Sequence, residues 1–184
     1  MKLNIGAGDE KIDGFVSVDY DKNCNPDYCF DIEKDPWPFE DNSVEEVIAH
    51  HVLEHLGEGY FHVMKELYRV CKHGAMIDIL VPHHRHEYFA DDPTHRRPIT
   101  VAGMWLFSKK YNDLCKETNA RASRLGYYYG VDFEVVGSLE IPEEKYIKQF
   151  TGSPVEQVAV YMREHNNIIV ELQMKLVAIK EYAW

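Results

Sequence analysis

A short apolar run that stops at two glycines one residue apart, answered by a second run that ends on a carboxylate, constrains this chain more than any other stretch. Leu3-Asn4-Ile5 leads into Gly6-Ala7-Gly8, and Val16-Ser17-Val18 ends at Asp19. Gly6 and Gly8 lack a Cβ, so the backbone can turn sharply and approach a ligand closely at the carboxyl end of a first strand. Asp19, at the end of a second strand, is placed to accept hydrogen bonds from both hydroxyls of a ribose. Only Asp9 to Gly14, six residues, separate Gly8 from Phe15. Parallel neighbours normally need a crossover of about a dozen residues, usually helical. This link is too short for a helix, and Tyr20 to Pro26, rich in Asp and Asn, does not read as one. Helices are therefore expected to be missing from this half of the sheet. The apolar face so uncovered is expected to be buried by C-terminal elements or by a second copy of the chain.

Further along, Tyr28-Cys29-Phe30 reads as a short third strand ending at Asp31-Ile32, and Val44 to Ala49 as a fourth, entered through the Asp41-Asn42-Ser43 turn. Leu56 to Cys71 is the clearest helix. Leu56, Tyr60, Val63, Met64, Leu67 and Cys71 recur on one face, Lys65, Glu66, Arg69 and Lys72 point away, and Gly74 is expected to cap the end. Ala75 to Val81 is a buried fifth strand stopped by Pro82. From Pro82 to Pro98 the composition turns to His, Arg and Asp in a loop that follows a core strand at its carboxyl end, where ligands bind in open α/β sheets. Ile99 to Tyr111 and Asn112 to Leu125 read as two helices, Val131 to Leu139 as a strand running on towards Ile147, and Pro154 to His165 as a helix. Asn167 to Lys180 alternates as a final antiparallel strand.

Two nucleotide-binding patterns compete for the glycines. A dinucleotide fingerprint needs a third glycine three positions after the second and an acidic residue about 20 residues on. Lys11 stands at that third position, and Asp19 arrives too soon. Lys2 to Asp19, then Asp31-Ile32, then Pro38-Phe39-Glu40-Asp41-Asn42-Ser43 leading into His51-Val52-Leu53-Glu54-His55-Leu56, instead resemble the ordered landmarks of the small, type-11-like class I S-adenosylmethionine-dependent methyltransferases. The resemblance covers Lys2 to Val81 and is loose beyond Pro82. Two positions depart from the family pattern: its third glycine is Glu10, and its acidic residue near the end of the first strand is Asn4.

The resemblance implies an α/β fold: a doubly wound, mostly parallel seven-stranded sheet of the Rossmann-like methyltransferase kind. The C-terminal strand is antiparallel and helices are reduced on the N-terminal half. Residues 1–184 form one domain, with a His-rich loop and helical insert at about 82–126. S-adenosylmethionine is the implied cofactor. Gly6 and Gly8 would cradle its methionine end with Asn4 and Ala7 beside them. Asp19, flanked by Tyr20, would hold the ribose, Asp31 would face the adenine amino group, and Ile32 would pack on the ring. His50 and His51 follow the fourth strand at the family position that contacts the methionine part and faces the acceptor. By strand alternation one of the pair points into the cleft and the other packs away. The implied activity is methyl transfer to a small-molecule or sugar acceptor.

A histidine suits such chemistry because its ordinary pKa of about 6.5 lets it take a proton near neutral pH. His51 is the first candidate base, and His83, His84 and His95 of the loop are further ones. Arg96 and Arg97 are candidates for an acidic substrate, with pairing to Asp91 and Asp92 as the alternative, and Trp105, Tyr127, Tyr128 and Tyr129 for an aromatic wall. The same loop admits a metal-dependent hydrolase built on His83, His84, His86, Glu87, Asp91, Asp92 and His95. It contains no His-x-x-x-His helical pair, so spacing alone assigns no metal ligand. A non-catalytic domain that binds the cofactor or its product is the other alternative. The net charge of -11 argues against unspecific nucleic acid binding and anionic membranes. No apolar run is long enough to span a bilayer, no leader signal is visible, and Cys24, Cys29, Cys71 and Cys115 form no Cys-x-x-Cys pair. A cytoplasmic protein with a small-molecule substrate, and a homodimer as a candidate assembly, is the expectation.

Overall fold

Seven strands pair into one sheet in the computed structural model, which describes residues 1–180. The last four residues of the expected 1–184 unit lie outside the described residues. The strands are β1 (Lys2–Ile5), β2 (Val16–Asp19), β3 (Tyr28–Cys29), β4 (Val44–His50), β5 (Cys71–Pro82), β6 (Phe133–Pro142) and β7 (Ile169–Ala178), in the order β3-β2-β1-β4-β5-β7-β6. β1 to β5 are mutually parallel, and β7 runs antiparallel between β5 and β6. The mostly parallel sheet with its antiparallel last strand is thus the one the sequence implies.

Register decides which residues are buried. Leu3 stands opposite Val16 and Val47, Val47 opposite Ile77, Ile79 opposite Met174, and Val81 opposite Leu172. These side chains share one face, and all but Val16 are nearly solvent-free. Asn4, Ser17, Glu46, Asp78, Gln173 and Lys175 occupy the other face, between the half-buried Ile48 and Leu80. Asp78 there accepts two bonds from the Gln173 amide, at 2.9 and 3.0 Å. The expectation of an uncovered apolar face is therefore corrected. The crossover helices are absent between β1 and β4, as expected, and the positions they would have met are largely polar.

The buried face is covered by α1 (Tyr60–Val70), whose Tyr60, Val63, Met64, Leu67 and Val70 join the same core as Trp37 and Phe39. The helix starts later than Leu56 because Glu33, far away in sequence, caps it. One Glu33 carboxylate oxygen accepts from the Gly57 and Gly59 amides at 2.6 and 3.0 Å, where an anion complements the helix dipole. Gly74 does not cap its end. Cys71 is already extended, and Gly74, at φ +78°, lies inside β5 where the register jumps from Val44/Cys71 to Glu46/Met76. Nor do Glu66 and Arg69 simply face solvent. Arg69 reaches Glu66, Asp41 and the carbonyls of Trp37 and Phe39, while Glu66 accepts from the Trp37 amide, so the pair fastens the proline-rich segment to α1.

The second half departs more from expectation. The two helices expected over 99–125 are three: α3 (Val101–Trp105), α4 (Lys109–Glu117) and α5 (Leu125–Tyr129). Thr100 and Ser108 accept from the amides of Gly103 and Tyr111 and start new helices where the apolar period suggested continuity. In the His-rich loop, α2 (Glu87–Asp91) begins with His86, whose Nδ1 accepts from the Tyr88 amide. β6 stops at Pro142, so the extension towards Ile147 is instead α6 (Glu144–Phe150), and α7 (Val155–Glu164) follows Pro154.

The two leading glycines are not equivalent. Both have positive φ, +62° at Gly6 and +52° at Gly8, but a Cβ on Gly6 would meet Val52 Cγ2 at 2.4 Å whereas one on Gly8 meets nothing within 4 Å. Val52 is buried and β-branched, so it cannot swing aside. Gly8→Ala is expected to cost about 1–2 kcal/mol of stability through the backbone alone. Gly6→Ala is expected to cost about 2–5 kcal/mol, because overpacking adds to that strain. Urea unfolding of the two variants against wild type measures the difference.

Candidate functional site

The turn after β1 and the end of β2 are bonded to each other. The Gly8 amide donates to Asp19 Oδ2 at 2.8 Å, the Asp21 amide donates to Oδ1 at 2.9 Å, and Asp19 is only 8% exposed. Each oxygen spends one acceptor site on the backbone and keeps one for a ligand. Around this carboxylate lies a cavity of about 600 Å³, within the usual range for small-molecule sites. Its wall draws Gly6, Asp19, Tyr20, Asp31, Ile32 and Glu33 from the first three strand ends, His51, Val52, His55 and Leu56 from the segment after β4, and Thr94 and Arg96 from the His-rich loop. Asp31 is held by the Glu33 amide at 3.0 Å and by Lys34 at 2.5 Å. The Lys34 contact above all lowers its pKa, against the opposing effect of burial, and keeps it an acceptor.

Of the two histidines at the end of the fourth strand, His50 its last residue and His51 the next, His51 faces the cavity. It sits at φ +54°, a conformation rare for a side-chain-bearing residue and the reason it leaves the strand's alternation. Its Nδ1 lies 3.4 Å from Oε1 of the fully buried Glu54 and its Nε2 3.0 Å from Glu171 Oε1 on β7. The Glu54 contact raises the His51 pKa above the ordinary histidine value, burial pulls against it, and Glu171 adds to the rise. His50 turns instead to the polar sheet face, with Nε2 3.8 Å from Asp78 Oδ1.

The other expected site residues divide. Asn4 and Ala7 are buried beside the glycine turn without lining the cavity. Arg96 lines it, and its amide donates to the Glu54 carbonyl at 2.7 Å. Arg97 does not. Its side chain donates to the carbonyls of Leu56 and Gly57 at 3.0 and 2.5 Å and lies 4.3 Å over the Tyr60 ring, so it clamps the loop to the start of α1. Trp105 lies on a separate groove with Tyr111, Glu117 and Glu134. Tyr127 bonds to Asp113, and Tyr129 stacks on Phe61, away from the cavity wall. His83 is buried, its amide tied to the Val170 carbonyl and its Nδ1 accepting from the Arg85 amide; burial, then the charges of His84, Arg85 and His86, push its pKa down to about 4. Burial likewise lowers that of His84, whose ring lies 4.4 Å from that of His83. Neither lines the cavity. Among the described residues, the potential metal ligands that converge are not the loop histidines by themselves but Glu54, His55 and His95.

Sequence reasoning passed over Glu33, Glu54, Thr94 and Glu171. Three of them meet the site across more than twenty residues of chain, which spacing does not reveal. Glu54 was within reach, since His51-x-x-Glu54 places the two one turn apart.

Residues 13–79 match a family model described as a methyltransferase domain. No curated protein shows significant sequence similarity to the chain. Among solved structures, a SAM-dependent methyltransferase from Archaeoglobus fulgidus superposes with a TM-score of 0.61 at 16% identity, over 96% of this chain and 85% of the other. An S-adenosylmethionine-dependent methyltransferase from Mesorhizobium loti gives 0.53 at 13%, over 96% and 90%. The [4+2]-cyclase SpnF gives 0.52 at 12%, over 98% and 75%. At such identities the likeness is one of fold.

Because the folded state favours protonated His51, this pairing stabilises fully below the unfolded histidine pKa of about 6.5 and fades as pH rises through the raised folded value. NMR titration of His51 is expected to give a midpoint above 6.5, and Glu171→Gln to move it down while leaving the His83 titration in place.

Proposed function

We propose that this methyltransferase-domain protein is an S-adenosylmethionine-dependent methyltransferase that acts on a small-molecule or sugar acceptor entering beside His51 and Arg96. The observation that carries the reading is the Gly8 amide bonded to Asp19, whose carboxylate lines a cavity of about 600 Å³. The lining fits the cofactor. Asp19 keeps two acceptor sites for a ribose diol, Asp31 stays ionised to accept from an adenine amino group, Ile32 offers an apolar surface to the ring, and Gly6 lets the chain approach closely.

When bound, the cofactor supplies a methyl group on a sulfonium for in-line displacement by the acceptor. The residues of the chain then have mainly to position the two reactants. Arg96 is placed to hold an anionic or polar group of the acceptor, and Thr94 and His55 complete that wall. His51, poised between Glu54 and Glu171, can take the proton an acceptor hydroxyl gives up, and either carboxylate then holds the imidazolium. Its raised pKa places that base function above the ordinary histidine range. No described helix is long and apolar enough to cross a membrane, and all four cysteines are free thiols, which suits a reducing cytosolic setting.

Calorimetry with S-adenosylmethionine and S-adenosylhomocysteine tests the assignment. Asp19→Ala is expected to weaken binding of both by ~1.5–3 kcal/mol, roughly tenfold or more, through lost charge-assisted bonds. Unchanged affinity in that variant removes Asp19 from the site; no binding to wild type removes the function.

A further inference from the structure

We propose that Glu54, His55 and His95 form a binding site for a first-row divalent metal ion, such as Zn²⁺ or Mn²⁺, at the acceptor side of the cavity. One ligand atom from each of the three lies within 4.8 Å of the other two. Ligands on a single ion sit roughly 3–4 Å apart, so the group needs to draw in by at most about 1–2 Å. Two imidazoles and one carboxylate suit zinc, manganese or iron(II) better than the all-oxygen demands of calcium.

The hydrogen-bond network engages Nδ1 of both rings. Thr94 Oγ1 gives its only proton to Asp92 Oδ1 at 2.6 Å, so towards His55 Nδ1, 2.9 Å away, it can only accept. His55 therefore carries its proton on Nδ1, and Nε2 keeps the lone pair. His95 Nδ1 faces the Phe89 carbonyl at 2.8 Å, again as donor, so Nε2 is the nitrogen left for a ligand; it lies 3.8 Å from Asp92 Oδ2, a carboxylate that borders the same site. Metal-ligating histidines are commonly oriented by such a second nitrogen bonded to an oxygen.

Glu54 is the group that most needs explaining. It is fully buried; Oε1 has only His51 Nδ1 at 3.4 Å, a ring that Glu171 also engages, and Oε2 has no hydrogen-bond partner among the described residues. A buried carboxylate is costly unless it is paired or coordinates a cation. The backbone brings the set together, because the Glu54 carbonyl accepts from the Arg96 and Arg97 amides at 2.7 and 3.3 Å and so holds the His95 segment against the β4–α1 connection. His55 lines the cavity, so the ion's open positions adjoin it and can take a water or an acceptor oxygen.

The test reads metal directly and does not depend on methyl transfer. The full chain is stripped with chelator, titrated with Zn²⁺ or Mn²⁺ by calorimetry, and analysed for bound metal after gel filtration. One equivalent per chain is expected. His55→Ala and His95→Ala, neither of which removes the buried acid, are expected to weaken uptake by more than the roughly 10–100-fold that losing an outer partner costs. Thr94→Val, which removes such a partner, is expected to fall within that range. His84→Ala is expected to bind as wild type does. Uptake well below one equivalent, or equal uptake by wild type and both ligand variants, overturns the proposal. A circular dichroism spectrum for each variant shows that folding is retained, and Glu54→Gln, if it folds, is expected to lose the equivalent altogether.

Discussion

The bond from the Gly8 amide to the Asp19 carboxylate ties together the parts on which everything else relies. One partner belongs to a turn that only a residue without a Cβ adopts easily, and the other ends a neighbouring strand whose register is set by Leu3, Asn4 and Ile5. Shift either strand by one residue and the acid turns to the other face of the sheet, leaving the turn unsupported. The cavity opens beside that bond, with Gly6 and Asp19 both in its wall.

What surrounds that bond is a set of long-range polar fastenings that do the work crossover helices perform elsewhere. Glu33 caps α1 from the cavity wall, the Glu66–Arg69 pair straps down the segment containing Trp37 and Phe39, and Arg97 pins the His-rich loop to the carbonyls ahead of the same helix. All three converge on α1, the first long helix in the chain. A short N-terminal half thus gains definition from charged groups meeting backbone, which is stronger than the weak pairing of two exposed ions.

Much of the frame was legible in the sequence because it follows from period and punctuation. The strands through Val81 and the alternation of Ile168 to Leu176 are properties of adjacent residues, and so is the glycine turn. The breaks at Thr100 and Ser108 were harder, since a side chain that caps a new helix looks, by spacing, like any polar residue on an old one. In the site, Gly6, Asp19, Asp31 and Ile32 could be placed because each ends a strand. Arg97 could not, because its donors are consumed by carbonyls forty residues earlier in the chain. The polarity of the far sheet face was written in Asn4, Ser17 and Asp78, but only the register shows that they line up.

The missing crossover between β1 and β2 has a further meaning for how the molecule assembles. β1 meets β2 across a link of ten residues, and β2 meets β3 across fewer, so the three strand ends on one side of the cavity are joined by contacts close in sequence. β5, by contrast, acquires its outer neighbour β7 only after more than eighty intervening residues, and β6 joins the sheet through β7 alone. Loop closure is slow over such separations and quick over short ones. The β1-β2-β3 side of the cavity can therefore zip up early, while the opposite edge waits for a single late strand to slot between two others.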